Sequence, residues 1–150
     1  MFKGKESIRL KALCIFEDGD DIFVSEMYDS AKKDFFYRPI GGTVEFGEFS
    51  EATLVREIRE ELNTEVSNVR LEMVLENIFT CDGVAGHEID FMYRADFSDV
   101  RFYERREYEL TESDQTKVKA RWMSRLDFIN RKYRLVPERL VEWLSEGKQT

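Results

Sequence analysis

A chain of 150 residues, 42% hydrophobic and 13% aromatic, is long enough for one substantial core and too apolar to stay unfolded. Its 31 acidic against 23 basic side chains leave a net charge of −8, which argues against duplex nucleic acid or an anionic membrane as partner, but not against a phosphate-bearing ligand held through cations. One domain over 1–150 is expected and, with no apolar run long enough for a signal peptide or a membrane span, a cytoplasmic location.

Residues 8–16 alternate, with Ile8, Leu10, Ala12, Cys14 and Phe16 on one face, which predicts a strand. The acidic stretch 17–21 is turn chemistry and Ile22-Phe23-Val24 resumes the strand, so the two runs read as a hairpin. A polar connection over 29–33 leads to Phe35-Phe36-Tyr37-Arg38-Pro39-Ile40 and then to the glycine pair Gly41-Gly42. Aromatic faces before that pair can stack on a base, although alternate members of such a run ordinarily pack into a core.

Past the glycines the chain runs through Glu45, Gly47 and Glu48 into a helix carrying Arg56-Glu57-Ile58-Arg59-Glu60-Glu61. Ser50 is the expected N-cap and Asn63 the expected left-handed stop. At about 100° per residue, Glu57, Glu60 and Glu61 share one arc of the helix, while Val55, Ile58 and Leu62 share another that can face a core. Like charges at this spacing destabilise a helix by about 0.2–0.5 kcal/mol per pair, a penalty that a hard divalent cation with oxygen ligands removes. A solvated acidic helix, with Arg56 and Glu60 as an ordinary i,i+4 pair, is the plainer account of the helix taken alone.

The spacing is more particular than that. From Gly42 it reads Gly, five residues, Glu48, seven residues, then Arg56-Glu57-aliphatic-x-Glu60-Glu61. Over residues 42–64 this resembles the signature box of the Nudix hydrolases, with Asn63 in place of the box glycine, Thr64 in place of its last aliphatic residue, and every charged position kept. The resemblance implies an α+β fold, an α/β/α sandwich with a mixed sheet between helices. It also implies a Mg²⁺-dependent pyrophosphohydrolase, with Mn²⁺ as a substitute, that splits a nucleoside diphosphate linked to another group by water attack on phosphorus. Glu57 and Glu61 are then the best metal ligands, with Glu60 and the Gly41 carbonyl as companions. Glu48 reaches the metals or their water, and Arg56 holds loop carboxylates in place. A non-catalytic nucleotide-binding regulatory module is the alternative, and such modules usually lose the box carboxylates retained here. Dimers are frequent among relatives, so a homodimer is left open.

After the helix, 69–79 reads as extended and 81–87, with its two glycines, as a loop. Residues 88–97 give the clearest strand, Ile89, Phe91, Tyr93, Ala95 and Phe97 alternating with Glu88, Asp90, Met92, Arg94 and Asp96. Glu88 and Asp90 either line a cleft or face water. The charged stretch 99–115 is a long polar connection of the kind that carries function. Nudix enzymes place the general base on the box or on a distant loop, so its Glu107, Glu109 and Glu112 are candidates, and Glu109 is taken as the catalytic one. Val118, Ala120 and Trp122 mark a strand and 124–128 a short helix. Pro137 suits the first turn of a last helix with Leu140, Trp143 and Leu144 as its stripe. Strands before, between and after helices agree with an α+β class.

Arg38, Phe36 and Glu88 are the substrate-binding candidates. His87 is alone and forms no metal or triad set, and Cys14 and Cys81 lack metal-ligand spacing and read as free thiols. The proline that marks ADP-ribose-cleaving relatives beyond the box has no counterpart. A nucleoside triphosphate, a nucleotide sugar or a similar compact diphosphate remains as substrate.

Overall fold

The computed structural model describes residues 6–112 and 114–146. In chain order it contains β1 (Ile8–Ile15), β2 (Glu17–Asp18), β3 (Asp21–Asp29), β4 (Asp34–Arg38), β5 (Ile40–Thr43), helix α1 (Ser50–Leu62), β6 (Val66–Cys81), β7 (Val84–Phe97), a 3-10 turn (Val100–Tyr103), β8 (Glu107–Thr111), β9 (Lys117–Ser124), α2 (Arg125–Ile129) and α3 (Arg139–Glu146). One sheet has the order β5-β1-β7-β6 and is mixed, since β1 and β7 run parallel with Lys11 opposite Asp90. The other has the order β2-β3-β9-β8, with β4 also paired to β3, and is antiparallel.

The hairpin expected between the first two runs is confined to Glu17–Asp18 against Asp21–Ile22, and β1 belongs to the other sheet. The reason lies in β1, which is not one-sided. Ala12 and Cys14 enter one core while Leu13 and Ile15 enter the second, and Ile8 and Leu10 stay 61% and 42% exposed. A strand buried on both faces and paired in parallel belongs inside a sheet. Helices close both sides of that sheet. Leu54 and Ile58 of α1 pack with Ala12, Cys14 and Tyr93, whereas Phe128 of α2 and Leu140, Val141 and Leu144 of α3 pack with Leu13, Ile15 and Met92. This is the α+β sandwich implied by the sequence, and each large apolar side chain so buried contributes about 1.5–3 kcal/mol.

Helix α1 differs from expectation in two details. Its buried face is Thr53, Leu54, Ile58 and Glu61, with Val55 and Leu62 only half-buried. Ser50 is the first helical residue rather than the cap, because its hydroxyl is taken by the Tyr93 hydroxyl. Asn63 does end the helix, at φ 53 and ψ 46, with its N–H donating to the Arg59 carbonyl. The loop expected over 81–87 shrinks to Asp82-Gly83, whose φ values of 54 and 79 make the two-residue turn that twisted strands prefer. The polar stretch 99–115 holds the 3-10 turn and β8, an edge strand. Pro137 lies two residues before α3, its carbonyl accepting from the Leu140 N–H. Among the described residues no helix is long and apolar enough to cross a membrane.

Candidate active site

Strand β5 and helix α1 meet at a pair of glycines whose bare Cα atoms let their neighbours approach closely. A Cβ on Gly41 would lie 1.9 Å from the Ala12 carbonyl oxygen, and one on Gly42 would lie 2.2 Å from the Glu57 carboxyl carbon. The Glu57 carboxylate therefore rests on the bare Cα of Gly42, at the β5 edge of the mixed sheet. Burial raises the Glu57 pKa, and the neighbouring Arg56 partly offsets this.

Arg56 organises the acids around it. Its Nε and Nη2 donate to the two oxygens of Glu48 at 2.8 and 3.0 Å, and Nη1 donates to Glu57 at 3.0 Å and to Glu60 at 3.4 Å. Nη2 also reaches the Thr43 carbonyl at 3.4 Å. Thr53, buried in the first turn, donates its hydroxyl to Glu48 at 2.6 Å. With Arg56 first and Thr53 second as causes, the Glu48 pKa falls to about 2, so this carboxylate is ionised at any neutral pH. Arg56 thus cross-braces loop and helix, a fork geometry that lysine cannot supply.

Glu61 is different. It is buried, its Oε1 has no hydrogen-bond partner, and its pKa is driven well up by burial, then by Glu112 alongside it, then by Glu57. Glu112, not Glu109, is thus the acid that the polar stretch brings to the box. Tyr108 and Leu110 point inward from β8, so Glu112 follows on their side, while Glu109 is exposed and paired across to Lys119. Glu107 likewise faces out, 3.8 Å from the Lys119 ammonium.

Glu57, Glu60 and Glu61 do not converge as tightly as one shared helix arc suggests. Among the described residues, the group of acid, thiol or imidazole donors lying within 4.8 Å of one another is Asp29, Cys81 and Asp82. That group is explained without an ion: Asp29 Oδ1 accepts from the N–H groups of Ala31, Lys32 and Asp82, and Asp82 accepts from Ser30, tying two turns together. In the box, Arg56 draws Glu60 outward and Glu61 turns in. The orphaned Glu61 oxygen and the Glu57 carboxylate seated on Gly42 nevertheless fit a hard cation, because both are oxygen donors and one has no other partner.

A cavity of about 420 Å³ opens on the opposite face of the mixed sheet, between β6, β7, β4 and the segment preceding α3. Phe36, Arg38 and Glu88 all line it, so the three expected substrate residues come together. Arg134 joins them, its guanidinium 5.3 Å above the Phe36 ring. Glu88 and Asp90 are buried, so their face of β7 is covered rather than washed by water. Lys11, which nothing in the local sequence singles out, is buried opposite Asp90, and burial first and Arg38 second lower its pKa. Arg38 acts on both Glu61 and Asp90, which places it between the box and the cavity. His87 pairs with Glu76 at 3.0 Å, and both Cys14 and Cys81 are free thiols.

A family model described as NUDIX domain matches residues 8–144. Among solved structures, the MutT protein from Bacillus halodurans superposes with a TM-score of 0.61 at 16% identity, over 95% of this chain and 83% of that one. MutT from Aliivibrio salmonicida and Vibrio cholerae gives 0.60 at 21% identity, over 94% and 99%. The MutT NUDIX hydrolase from Burkholderia pseudomallei gives 0.58 at 20%, over 80% and 85%. At these identities the likeness is one of fold. Comparison with curated proteins returned no significant match.

Proposed function

The chain belongs to the Nudix family of hydrolases, which act on phosphorus-containing acid anhydrides, and on that premise we propose a magnesium-dependent pyrophosphohydrolase working as one domain over residues 1–150. Its substrate is a nucleoside diphosphate linked to a further group, such as a nucleoside triphosphate or a nucleotide sugar. The observation that carries this reading is Glu61, a buried carboxylate hydrogen-bonded to a second acid, Glu112, with its Oε1 left without a partner one turn from Glu57.

Bound Mg²⁺, or Mn²⁺ in its place, supplies polarisation of the phosphoryl oxygens and a water of lowered pKa. Glu57, Glu61 and the Gly41 carbonyl would hold it, with Glu60 at the exposed margin. Arg56 keeps Glu48 and Glu57 in fixed positions, so its part is orientation rather than contact with substrate. Glu112 accepts the proton of the attacking water, because it is the acid standing beside the proposed ligand Glu61. Arg38 and Lys11 meet the phosphate charge, and Phe36 and Glu88 meet the nucleoside in the cavity. Two reduced thiols suit a cytoplasmic setting.

The test is a panel of nucleoside triphosphates and diphosphate derivatives with Mg²⁺ or Mn²⁺, reading out phosphate, pyrophosphate and nucleoside monophosphate. Glu57→Gln and Glu61→Gln are expected to abolish metal-dependent turnover while thermal melting stays cooperative. Full activity in either variant, on a substrate the parent cleaves, overturns the ligand assignment.

A further inference from the structure

Thr53 is fully buried in the first turn of α1. Alanine forms helix more readily at such a position and valine has the same shape, so the hydroxyl calls for a reason of its own. Its Oγ1 lies 2.6 Å from Glu48 Oε1 and 3.2 Å from the Phe49 carbonyl. A hydroxyl has one hydrogen to give, and inside a helix it ordinarily goes to the carbonyl four residues back, here that of Phe49. That carbonyl already accepts from the Thr53 N–H at 3.0 Å. The shorter distance and the negative charge assign the hydroxyl proton to Glu48 instead.

The donors around Glu48 are unevenly shared between its two oxygens. Oε1 receives the Thr53 hydroxyl, Arg56 Nη2 at 3.0 Å and the Glu45 N–H at 3.3 Å. Oε2 receives only Arg56 Nε, at 2.8 Å. A carboxylate oxygen has two lone-pair sites, so Oε1 is saturated while Oε2 keeps one site open. The two side chains that hold Glu48 also differ in charge. Arg56 is cationic, so a divalent ion arriving among these acids repels it and competes with it for the same carboxylates. The Thr53 hydroxyl is neutral and grips the saturated oxygen, so its hold survives the ion.

Resting on the metal-dependent hydrolase reading above, we propose that Thr53 is a positioning residue whose hydroxyl pins Oε1 of Glu48, so that Oε2 alone is offered to a bound divalent cation. A carboxylate tethered in this way loses little freedom when the ion arrives. Without the tether it must be ordered at that moment, and groups that orient metal-binding carboxylates typically change metal affinity by about ten- to a hundredfold when removed.

Mn²⁺ binding to the full chain without substrate, read from the electron paramagnetic resonance of the free ion, tests this without turnover. Thr53→Val keeps the shape and loses the hydroxyl, Thr53→Ser keeps the hydroxyl and loses the methyl, and Thr53→Ala loses both. Thr53→Ser is expected to bind Mn²⁺ within about threefold of the parent, and Thr53→Val and Thr53→Ala more weakly by at least about tenfold. Thermal melts without metal control for folding. A role in packing alone ranks the variants by shape, with Thr53→Val near the parent and Thr53→Ser near Thr53→Ala. That order, equal affinity in all four chains, or no Mn²⁺ bound by the parent overturns the proposal. Should Thr53→Val not fold, the comparison of Thr53→Ser with Thr53→Ala decides, because those two differ only in the hydroxyl. Affinity ranked by hydroxyl with no anhydride hydrolysed sinks the enzymatic reading and leaves this one standing; metal-dependent hydrolysis with an affinity indifferent to the hydroxyl does the reverse.

Discussion

Gly42→Ala isolates the placement of one carboxylate from the stability of the fold. The added methyl would lie 2.2 Å from the Glu57 carboxyl carbon and 2.5 Å from both its oxygens. Ordinary contact requires the carboxylate to retreat by roughly 1.5 Å, and a shift of even about 1 Å at a reacting centre costs about 10²-fold in rate. The atoms in the way are the end of a flexible side chain rather than backbone, so the fold can yield at the low end of the ~1–3 kcal/mol typical of overpacking. Arg56, bonded to Glu57 at 3.0 Å and to Glu48 at 2.8 Å, is pulled in the same movement. The expected outcome is a melting temperature within a few degrees of the parent's, a kcat reduced by about 10²-fold, and a higher Mg²⁺ concentration for half-maximal rate. Steady-state kinetics at several Mg²⁺ concentrations, beside a thermal melt, measure all three. Parent-like kcat and metal dependence in a folded Gly42→Ala chain would refute the claim that Glu57 works from its seat on the glycine.

Glu112→Gln is expected to lower kcat by about 10²–10⁴-fold, as loss of a general base does, while Glu109→Gln stays near the parent's rate; initial rates of the two variants side by side decide which acid serves. Asn63→Ala should cost about 1–2 kcal/mol in a denaturant melt, because alanine is forced to a φ of 53, whereas Asn63→Gly should match or exceed the parent. Burial pushes the Cys14 thiol well above its ordinary pKa. The folded chain therefore keeps that proton while the unfolded chain loses it, so this contribution to stability is complete below the ordinary thiol pKa and declines as pH rises past about 8.5. Thiol labelling should reach half-buried Cys81 first and Cys14 only with unfolding, and rapid labelling of Cys14 at pH 9 in the native protein would contradict its burial.

The box was readable because its spacing is local. Gly42, Glu48, Arg56, Glu57 and Glu61 lie on one loop and one helix, and the helical repeat alone brings the last three near each other. What was not readable depended on partners distant in the chain. Ser50 has the right chemistry for a cap, and only the arrival of β7 gives its hydroxyl a better offer in Tyr93. Glu109 and Glu112 are equivalent as long as 99–115 reads as one polar connection. Once Tyr108 and Leu110 are seen to alternate, the period of two separates the two acids, and that signal was present in the sequence. The β7 alternation put Glu88 and Asp90 on the correct face, but whether that face is wet depends on β4 and the segment before α3, which cover it. Lys11 had no signal at all, since its neighbour Asp90 is supplied by the parallel pairing of β1 with β7.

Several half-buried charges in this fold are ion-paired. Arg125 and Arg94 share Glu17, Arg94 also holds Glu72, and Arg121 holds Glu26. Glu61 and Asp90 are buried and each is hydrogen-bonded to a second acid, Glu112 and Glu88, rather than ion-paired with a cation. A folding requirement does not account for two such acid pairs, because a buried acid could be exchanged for an apolar side chain at little loss and often a gain in stability. Their separation is informative as well. Arg38 acts on both, and Lys11 is buried opposite Asp90 and acts also on Glu57. Along this path an acid with one free oxygen, Glu61, is followed by two cations, Arg38 and Lys11, and then by the paired acids Asp90 and Glu88. On the proposed reading, the metal ion of a nucleotide substrate answers the first and its phosphates the second.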